Sequence, residues 1–418
     1  MKKEDQKVIF HINTVGNSGS TGRIAEGICK LARKKYNAIC YTAYGRWSNK
    51  SESTLIKIGN KFSVYFHVAL TRLFDKHGMG SKIATWKLIN KIKQVKPDII
   101  HLHNIHGYYL NYPILFSYLS NLKIPIVWTL HDCWAYTGHC VHYTITKCDK
   151  WKSECFSCPN LKDYPNSWGF DSSKNNYRNK KHHFTQLNDL TLVTVSNWLA
   201  NQVKESFLSK YPVVKIYNGI DIDVFSPQTV NKSLYGCENK TIILGVATVW
   251  NERKGLQDFI RLANSLNDNY RIILVGLSKK QIKTLPDNII GLEKTENITE
   301  LVKLYSLADL YINFSVEETF GLTTVESLAC GTPVIVVNST ASPEIINEEV
   351  GYVIEPHDID SALSNILDIR RKGKQYYSEK CRLYAIERFN ETNLYEEYLT
   401  LYKQLLDNEN ISNNDNIQ

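Results

Sequence analysis

Short apolar runs rich in Val, Ile and Leu recur along the chain, and longer stretches with helical periodicity separate them. Six runs precede residue 225, at 8–14, 38–44, 98–104, 125–132, 191–196 and 213–219. Four more follow, at 241–249, 271–276, 309–315 and 332–338. Strands that alternate with helices are typical of parallel sheets flanked by helices, so the predicted fold class is α/β.

A polar stretch at 226–240 separates the two sets of strands and predicts a linker between two domains. The 418 residues, of which 43% are hydrophobic, are enough for two cores. We expect an N-terminal domain over 1–225, with a cysteine-rich loop at 133–160, and a C-terminal domain over 241–375. Helical, tyrosine-rich residues follow at 376–406, and the polar residues 407–418 are expected to be disordered.

The segment 315–334 holds two carboxylates, Glu318 and Glu326, eight residues apart around a Phe-Gly turn between a strand and a helix. A strand's carboxyl end and the next helix's N-terminus meet at one crevice, where oriented N–H groups favour an anionic ligand. Glu326 could also accept two vicinal ribose hydroxyls. A capped surface helix with two solvated acids is the alternative. The backbone N–H groups that could meet phosphate or sugar oxygens belong to Thr319, Phe320, Gly321 and Leu322.

This segment resembles the E-x7-E signature of the retaining family 4 glycosyltransferases. E-T-F-G at 318–321, A-C-G-T-P-V at 329–334 and N-G-I-D-x-x-x-F-x-P at 218–227 add to the resemblance. It implies the GT-B architecture, in which two Rossmann-like, doubly wound parallel-sheet domains face a central cleft, with helices at 376–406 that cross back to the N-terminal domain. By position, Glu326 holds the ribose and Glu318 lies by the donor sugar. The implied donor is a UDP- or GDP-sugar, and no catalytic metal is expected.

Two cations, Arg253 and Lys254, follow the strand at 241–249 and precede a helix, so a pyrophosphate is their natural partner. The resembled family has Gly-Arg shortly after this strand and Lys-Gly further on. Lys254 and Gly255 match that pattern, but Thr248 or a near neighbour stands where the Arg is expected. Arg253 is the residue that could compensate, and a solvated helix start is the alternative interpretation.

Three glycines, Gly16, Gly19 and Gly22, follow the first predicted strand and precede a helix. Their backbone could approach a phosphate closely. The acidic residue that a dinucleotide site places about 20 positions further on is missing. In the resembled family this loop faces the acceptor and the donor phosphates, so Gly16 and Gly19 are candidate binding residues. A plain turn and helix cap is the alternative.

Histidines are concentrated at the ends of N-terminal strands, at His101, His103, His106 and His131. Residues two apart on a strand share a face, so His101 and His103 could be metal ligands, although we prefer a metal-free role. The resemblance implies that His131 touches the acceptor or donor sugar, while Asp132 orients its ring or fixes its protonation state. His103 is the second candidate, and structural roles are expected for His101 and His106.

Four cysteines, Cys140, Cys148, Cys155 and Cys158, are spaced as C-x7-C-x6-C-x2-C. A structural zinc could close this loop with four thiolates. Reduced thiols that pack the loop are an equal alternative, and disulfides are disfavoured in a reducing cytoplasm. The preceding H-D-x-W motif and these cysteines are similar to a subgroup of family 4 enzymes from colanic acid and related surface polysaccharide pathways. That similarity implies a lipid-linked saccharide acceptor.

Residues 61–78 can place Phe62, Tyr65 and Phe66 on one helical face between basic flanks. Helices at a membrane interface have this pattern, and so do helices that cover a parallel sheet, which is the interpretation we favour. The basic residues at 179–184 could contact a lipid headgroup or pyrophosphate, but a solvated loop is the preferred interpretation.

A net charge of +8 is too weak a bias to indicate nucleic acid binding. No apolar run is long enough to span a membrane, and Glu4 and Asp5 stand where a signal peptide would be apolar. We expect a cytoplasmic protein, and peripheral contact with the inner face of the cytoplasmic membrane would bring it to a lipid-linked acceptor.

These features predict a retaining glycosyltransferase that moves a hexose from a nucleotide diphosphate sugar to a saccharide, with a polyprenyl carrier as its expected lipid. The expected context is bacterial exopolysaccharide, capsule or O-antigen synthesis. Another GT-B enzyme, such as a sugar-nucleotide epimerase, is one alternative. A catalytically silent sugar-nucleotide-binding scaffold is the other, and the missing Arg near Thr248 is the feature that favours it.

Overall fold

A computed structural model of the protein describes residues 6–415, with side chains as far as residue 408. Two compact units divide the chain. The first combines Met1–Tyr217 with Thr392–Gln418, and the second comprises Asn218–Glu391. The first unit is therefore assembled from both ends of the sequence.

The first unit is built on a parallel sheet of seven strands. They are β1 (Val8–Asn13), β2 (Ile39–Tyr44), β3 (Thr54–Lys57), β4 (Ile99–Leu102), β5 (Ile126–Leu130), β6 (Leu190–Thr194) and β7 (Val213–Lys215). Their order in the sheet is β3-β2-β1-β4-β5-β6-β7. The helices along this part of the chain are α1 (Gly19–Tyr36), α2 (Lys61–Phe74), α3 (Lys82–Val95), α4 (Tyr112–Leu119), α5 (Ser173–Phe184) and α6 (Asn197–Lys204).

The burial of each strand in this sheet depends on whether the strand is central or at an edge. Every residue of β1, β4, β5 and β6 is buried, as expected for central strands of a parallel sheet covered on both faces. The edge strands β3 and β7 have no fully buried residue. Local capping sets where the helices begin: the Asn111 side chain accepts from Ile114 N in α4, and the Ser196 side chain accepts from Leu199 N in α6.

The second unit repeats this plan with six parallel strands. They are β8 (Thr241–Val246), β9 (Tyr270–Val275), β10 (Ile289–Leu292), β11 (Leu310–Asn313), β12 (Val334–Val337) and β13 (Gly351–Ile354), in the order β10-β9-β8-β11-β12-β13. Its helices are α7 (Leu256–Ser265), α8 (Lys279–Ile282), α9 (Ile298–Leu307), α10 (Leu322–Ala329), α11 (Ile359–Lys372) and α12 (Lys374–Phe389).

The last helix, α13 (Glu391–Asp415), belongs to the first unit from residue 392 onward. The hydroxyl of Tyr402 lies 2.5 Å from Nδ1 of His101, and the hydroxyl of Tyr398 lies 3.3 Å from Oγ1 of Thr129. All four side chains are buried. A helix from the far end of the sequence thus completes the core of the first unit.

The ten strands predicted from the sequence are all present and all parallel, which confirms the α/β class and the two Rossmann-like sheets. Three further strands, β3, β10 and β13, were not predicted. Each is four residues long and lies at an edge of its sheet. An edge strand is buried by fewer neighbours, so its sequence lacks the continuous apolar run that marks a central strand.

The domain boundaries differ from the prediction in three places. Residues 226–240, predicted as a linker, lie in the second unit, where Lys232 Nζ is 2.6 Å from Asp309 Oδ2. The helical region predicted at 376–406 consists of α12 in the second unit and α13 in the first. The tail expected to be disordered from residue 407 continues α13 as far as Asp415, and 416–418 lie outside the described residues.

Helix α2 does not have the sheet-covering role that we favoured. Only His67 and Thr71 are fully buried in it, while Phe62, Tyr65 and Phe66 are 87%, 71% and 64% exposed. Within residues 6–415, no helix combines the length and the apolar character needed to cross a bilayer. The basic segment 179–184 also differs from its prediction as a solvated loop, because it forms the end of α5 with two buried side chains.

Candidate functional site

In both sheets the strand order reverses beside the first strand of the unit. β1 lies between β2 and β4, and β8 lies between β9 and β11. At such a switch point the connections leave toward opposite faces of the sheet, which opens a crevice beyond the carboxyl ends of the strands. The predicted site residues follow these strands, at 14–19, 103–106, 248–254 and 315–326.

Lys254 and Glu318 form an ion pair at the crevice of the second sheet. The Asn251 side chain accepts from Lys254 N at 3.1 Å, and Gly255, with φ of 73°, then leads into α7. A Cβ on Gly255 would lie 2.4 Å from Cβ of Phe314, so only glycine allows this turn to approach the end of β11. The turn thereby brings the Lys254 ammonium to a carboxylate oxygen of Glu318.

The electrostatics of this pair favour a charged carboxylate. The side chains of Lys254 and Glu318 are only 20% and 15% exposed. Burial acts to raise the pKa of Glu318, but the charge and hydrogen bond of Lys254, helped by the charge of Arg253, hold that pKa below its ordinary value. Arg253 also donates from Nη1 to the backbone oxygen of Glu317 at 3.0 Å. Both predicted phosphate-binding cations therefore lie against the segment that carries Glu318.

The second carboxylate, Glu326, lies on α10 and is 8% exposed. The hydroxyl of Tyr305 donates to its Oε2 at 2.8 Å and so fixes the orientation of the carboxylate. Sequence reasoning missed Tyr305, because nothing in its position in α9 indicates that it faces α10. The remaining predicted residues of this segment stand at the start of α10, where Thr319 and Leu322 are half-buried and Phe320 and Gly321 are buried.

Thr248, which stands where the resembled family has an Arg, is exposed in the turn after β8. The turn is anchored close by, because Trp250 Nε1 donates to the backbone oxygen of Val275 at 2.8 Å. A Cβ on Gly276 would lie 1.7 Å from the backbone oxygen of Ala247, which shows how closely the ends of β8 and β9 approach. No contact between the Thr248 side chain and the Lys254–Glu318 pair is found within the described part of the chain.

Thr340 is a site residue that sequence reasoning missed. Its Oγ1 accepts from Glu318 N at 2.8 Å, and Ala341 N donates to the Glu318 backbone oxygen at 3.1 Å. Its φ is 52°, a strained conformation for a β-branched residue. Such strain is concentrated at functional sites. The only sequence signal was the position of residues 339–342 directly after a predicted strand.

In the first unit, the loop after β1 is open where an anion could approach. Gly19, with φ of 60°, begins α1, and a Cβ there would meet no atom within 4 Å. The side chain of Ser18 does not cap the helix. Gly16 is required for packing, because a Cβ would lie 2.6 Å from Oγ of Ser48. The structure thus gives the two predicted glycines different roles, with Gly19 at the open helix start and Gly16 against a neighbouring loop.

Asp132 pairs with His106, a partner that the sequence did not suggest. Its Oδ2 lies 2.7 Å from Nε2 of His106, and its Oδ1 accepts from Trp134 N at 2.9 Å. Burial acts to raise the pKa of Asp132, but the charge and hydrogen bond of His106 prevail and hold it at about 2. His106, for which only a structural role was expected, is therefore an ion-pair partner of Asp132. The charge of Asp132 also acts to raise the pKa of His131, and Nε2 of that ring lies 3.2 Å from Nδ1 of His103.

His103, predicted as an acceptor-side residue, is almost inaccessible, although it lines a small cavity together with His131 and Asp132. It is 1% exposed and lies beneath His131, with Nδ1 at 3.2 Å from Nε2 of that ring. Burial lowers the pKa of His131 to about 4, so the ring at the end of β5 is neutral at neutral pH. Of His103 and His131, the partly exposed His131 is therefore the ring that a ligand could reach more easily.

The four clustered cysteines line one small cavity in the loop between β5 and α5. A hydrogen bond from Cys158 is the main influence that lowers the pKa of Cys140 to about 7. Gly138 N donates to Sγ of Cys155 at 3.2 Å. All ten cysteines are free thiols, so disulfides are not formed. Among residues 6–415, the one group of three or more ligand-type side chains within 4.8 Å of one another is His11, His101 and His103, not the cysteines.

Comparison with known proteins identifies the class. The model of Glycosyltransferase Family 4 matches residues 28–224, and the model of Glycosyl transferases group 1 matches residues 232–388. The two matches together span most of the chain. The protein belongs to the family 4, group 1 glycosyltransferases, and its two parallel-sheet units have the Rossmann-like plan of GT-B proteins.

Individual relatives are distant. The colanic acid biosynthesis glycosyl transferase WcaC of Escherichia coli is 24% identical over 330 residues, which are 76% of this chain and 79% of WcaC. Sucrose-phosphate synthase from Thermosynechococcus elongatus has a TM-score of 0.69 at 14% identity and covers 96% of this chain and 100% of its own. Anabaena HepE in complex with UDP-glucose has a TM-score of 0.66 at 14% identity, with 95% and 99% covered. The two structures support the fold.

Proposed function

We propose that this glycosyltransferase moves a hexose, with retention of configuration, from a nucleotide diphosphate sugar to a lipid-linked saccharide in bacterial surface polysaccharide synthesis. The observation that carries the proposal is the Lys254–Glu318 ion pair beside the N-terminus of α10, at the switch point of the second sheet. Cations and a helix N-terminus there suit a diphosphate, and Glu326 suits the ribose hydroxyls. A UDP- or GDP-sugar is the proposed donor, and HepE was solved with UDP-glucose.

In the proposed reaction, the bond between the anomeric carbon and the diphosphate oxygen breaks while a bond to the acceptor hydroxyl oxygen forms on the same face. The hydroxyl proton passes to the leaving diphosphate. Lys254 and Arg253 would stabilise the charge that develops on the diphosphate, because preorganised cations act most strongly where charge appears in the transition state. Glu318 would hold the donor sugar, and no catalytic metal is required by this scheme.

The acceptor side of the proposal rests on the first unit. Gly19 and the open start of α1 offer backbone groups to a phosphate, as a pyrophosphate-linked lipid carries. His131, at the end of β5, would contact a sugar hydroxyl. The similarity to WcaC supports a surface polysaccharide such as colanic acid, exopolysaccharide, capsule or O-antigen.

We further propose that the protein works in the cytoplasm, at the inner face of the cytoplasmic membrane, and that α2 and α3 make the contact. Phe62, Tyr65 and Phe66 of α2 are exposed, and so are Ile83 and Trp86 of α3. A groove of about 1040 Å³ runs along these helices and is lined by apolar side chains together with lysines. Exposed aromatic residues beside lysines fit an anionic lipid surface.

We also propose a structural zinc in the cysteine-rich loop. The four thiols line one cavity, the pKa of Cys140 is lowered toward the thiolate form, and a backbone N–H already donates to Cys155. Hydrogen bonds of that kind surround metal-bound thiolates. Because no three of these sulfurs lie within 4.8 Å of one another among the described residues, zinc binding would require the loop to tighten.

The test is a panel of UDP-, GDP-, ADP- and dTDP-sugars, examined first by thermal shift and then for turnover with and without a lipid-linked acceptor. A ligand that binds only the folded state raises the melting temperature, so one base series should stabilise the protein. Lys254→Met should lose this shift, whereas Lys283→Met, at an exposed lysine in the same unit, should keep it. Donor conversion without acceptor would support the epimerase alternative. Binding without any turnover would support the silent scaffold.

A further inference from the structure

A groove of about 1040 Å³ lies between α2 and α3 of the first unit, and we call it the α2–α3 groove. Apolar side chains of both helices line it: Phe62, Phe66 and Leu70 of α2, and Ile83, Ala84 and Leu88 of α3. Phe66 and Ile83 are 64% and 75% exposed, so nothing within the described part of the chain covers these walls. A contiguous apolar surface of this kind marks the binding place of a ligand or partner.

One end of the α2–α3 groove lies at the carboxyl edge of the first sheet. Lys57, the last residue of β3, and Ser81, directly before α3, both line it there. Oγ of Ser81 donates to the backbone oxygen of Tyr108, which follows β4, at 3.4 Å. The groove then follows α3 as far as Gln94, about 18 Å along the helix axis from residue 82. It therefore begins beside the edge where the site residues of this unit lie, and it leads away from that edge.

Two cations at this end of the groove have no acidic partner. Arg46 follows β2, and Nζ of Lys57 donates to its backbone oxygen. The Arg46 guanidinium lies 6.0 Å from the centre of the Tyr108 ring. Burial, followed by the charge of Arg46, lowers the pKa of Lys57, and neither cation forms an ion pair within residues 6–408. Two like charges held together without a counter-charge favour the binding of an anion.

The segment that carries Arg46 is joined to the loop after β1. The Arg46 backbone N donates to the backbone oxygen of Thr14 at 2.8 Å. Nε1 of Trp47 donates to Oγ of Ser18 at 3.1 Å, and the Ser18 side chain does not cap α1. Because this loop leads to Gly19 and the open start of α1, the cations at the end of the groove lie beside the backbone that an anion can approach.

The charged residues of the groove are all basic. Lys57, Lys82, Lys87 and Lys91 line it, and among the described residues no Asp or Glu does. Lysines can lay their methylene stems along an apolar chain while their ammonium groups reach phosphates or water. Apolar walls that carry only cations fit an amphiphile with an anionic head, which is the chemistry of a lipid diphosphate.

We propose that the α2–α3 groove binds the apolar chain of the lipid-linked acceptor, with the diphosphate of that lipid held between Arg46 and Lys57. The inference rests on the proposed function for the identity of this lipid. It makes the first unit a receptor for the lipid itself and not only a surface that touches the bilayer. With its chain along α3, the lipid would present its saccharide at the carboxyl edge of the sheet, where His131 lies.

The first test needs neither donor nor saccharide. Isothermal titration calorimetry of the full chain compares inorganic diphosphate, geranyl diphosphate and farnesyl diphosphate, below the concentrations at which they form micelles and without bilayers or detergent. Burial of the added isoprene unit should lower the Kd of farnesyl diphosphate about tenfold below that of geranyl diphosphate. Lys254→Met, which alters the proposed donor site, should keep this ratio. Equal affinity for all three probes would overturn the proposal.

Two leucines of α2 give a matched pair of variants. Leu70 lines the groove, whereas Leu73, which is 49% exposed, does not. Leu70→Ser should remove most of the difference between farnesyl and geranyl diphosphate, and Leu73→Ser should keep it. Ile83→Ser, at an exposed residue that lines the groove, makes the same test if Leu70→Ser fails to fold. The same chain-length ratio in Ile83→Ser, Leu73→Ser and the wild type would overturn the proposal.

The proposed head-group contact has its own variant. Arg46→Met combined with Lys57→Met should weaken geranyl and farnesyl diphosphate by the same factor, about tenfold, because it removes both cations and leaves the apolar walls in place. Unchanged affinity in this variant would contradict the placement of the diphosphate.

Other occupants of the groove predict different results. If the groove only touches the bilayer, Leu70→Ser and Leu73→Ser should both reduce cosedimentation with anionic vesicles, and the soluble probes should show no dependence on chain length. If a second copy of the chain covers the groove, sedimentation should show a dimer that Ile83→Ser dissociates. Either result would overturn the proposal.

A kinetic arm separates this inference from the proposed function. With lipid-linked acceptors of decreasing isoprenoid length, KM should rise while kcat stays the same, and Leu70→Ser should remove that dependence. Turnover that is independent of chain length would overturn the lipid groove and leave the glycosyltransferase reaction in place. Absence of turnover with every donor and acceptor would contradict the proposed function, whereas the calorimetry would still test the groove.

Discussion

Glu318→Gln should tighten the binding of UDP or GDP, although Glu318 is proposed as a donor-site residue. In the ligand-free chain, Lys254 is already paired with Glu318. A diphosphate that recruits the Lys254 ammonium must compete with this carboxylate. Replacing Glu318 by a neutral amide of the same shape removes the competitor and leaves the cation, so the nucleotide product should bind more tightly while sugar transfer slows.

The size of the effect follows from the burial of the pair. Exposed ion pairs contribute about 0–1 kcal/mol, whereas breaking a fully buried pair costs about 3–5 kcal/mol. With 20% and 15% of its side chains exposed, the Lys254–Glu318 pair lies between these limits. If diphosphate binding sacrifices about 1.5 kcal/mol of the free energy that the ion pair contributes, Glu318→Gln should lower the Kd of UDP or GDP by about tenfold. Isothermal titration calorimetry of the wild type and the variant measures this change in Kd directly.

A matched control is available in the same unit. Lys232 and Asp309 form an ion pair with 30% and 24% of the side chains exposed. Asp309→Asn should lower stability but leave the nucleotide Kd unchanged, because this pair is not part of the proposed site. An unchanged or weaker affinity in Glu318→Gln, with the protein folded, would refute the competition between Glu318 and the diphosphate.

The same pair predicts a pH dependence. The pKa of Glu318 is lowered in the folded protein, so its contribution to stability is present above the unfolded pKa of about 4.3 and is lost as the pH falls through the folded pKa. In Lys254→Met the cation is gone and burial should raise this pKa, so ionisation of Glu318 then opposes folding. The melting temperature should fall relative to wild type at neutral pH, by about 4–8 °C for a loss of about 2 kcal/mol, and the difference should shrink below pH 4. Lys254→Met combined with Glu318→Gln should lack this pH dependence, and a difference independent of pH would refute the assignment.

Three other predictions concern separate features. Glu326→Ala should weaken the binding of every nucleoside diphosphate, whatever its base, by about 2 kcal/mol or roughly 30-fold. Tyr305→Phe should weaken this binding less, because it removes only the hydroxyl that orients the carboxylate. Equal UDP affinity of Glu326→Ala and wild type in calorimetry would refute the ribose assignment. Protein purified without a histidine tag should contain about one zinc per chain by plasma mass spectrometry, with less in Cys158→Ser but not in Cys237→Ser, and fewer than about 0.2 in the wild type would dispose of the zinc site. Phe62→Ser with Phe66→Ser should abolish most cosedimentation with anionic vesicles, whereas Leu367→Ser with Leu383→Ser, at exposed leucines of the second unit, should not; equal loss in both variants would contradict a specific membrane face.

The central strands could be predicted well from the sequence because they are buried on both faces and therefore consist of continuous apolar runs. β1 and β5, for instance, are buried at every residue and were identified from their length and composition. Edge strands such as β3 and β13 have partly exposed residues, so the same signal is absent. Helix α2 was misjudged for a related reason, since its apolar face alone does not reveal whether another element covers it.

For the candidate site, the sequence indicated which residues follow the strands but not how their side chains pair. The spacing of Glu318 and Glu326 placed them around one turn, as observed. The partner of Asp132 could not be predicted, because His106 and His131 both follow neighbouring strands and only side-chain direction decides between them. The position of His103 beneath His131 depends on the register of two strands, which the sequence does not state.

Helix α13 has a consequence for how the protein is made. A ribosome completes residues 1–217 before it synthesises the whole second unit, and only afterwards do Tyr398 and Tyr402 emerge to cover Thr129 and His101. At about 5–20 residues per second, the first unit waits on the order of ten seconds with its core open. During that time it is a client for chaperones and proteases. A chimera that exchanges the first unit between related enzymes should therefore move residues 392–408 together with residues 1–217.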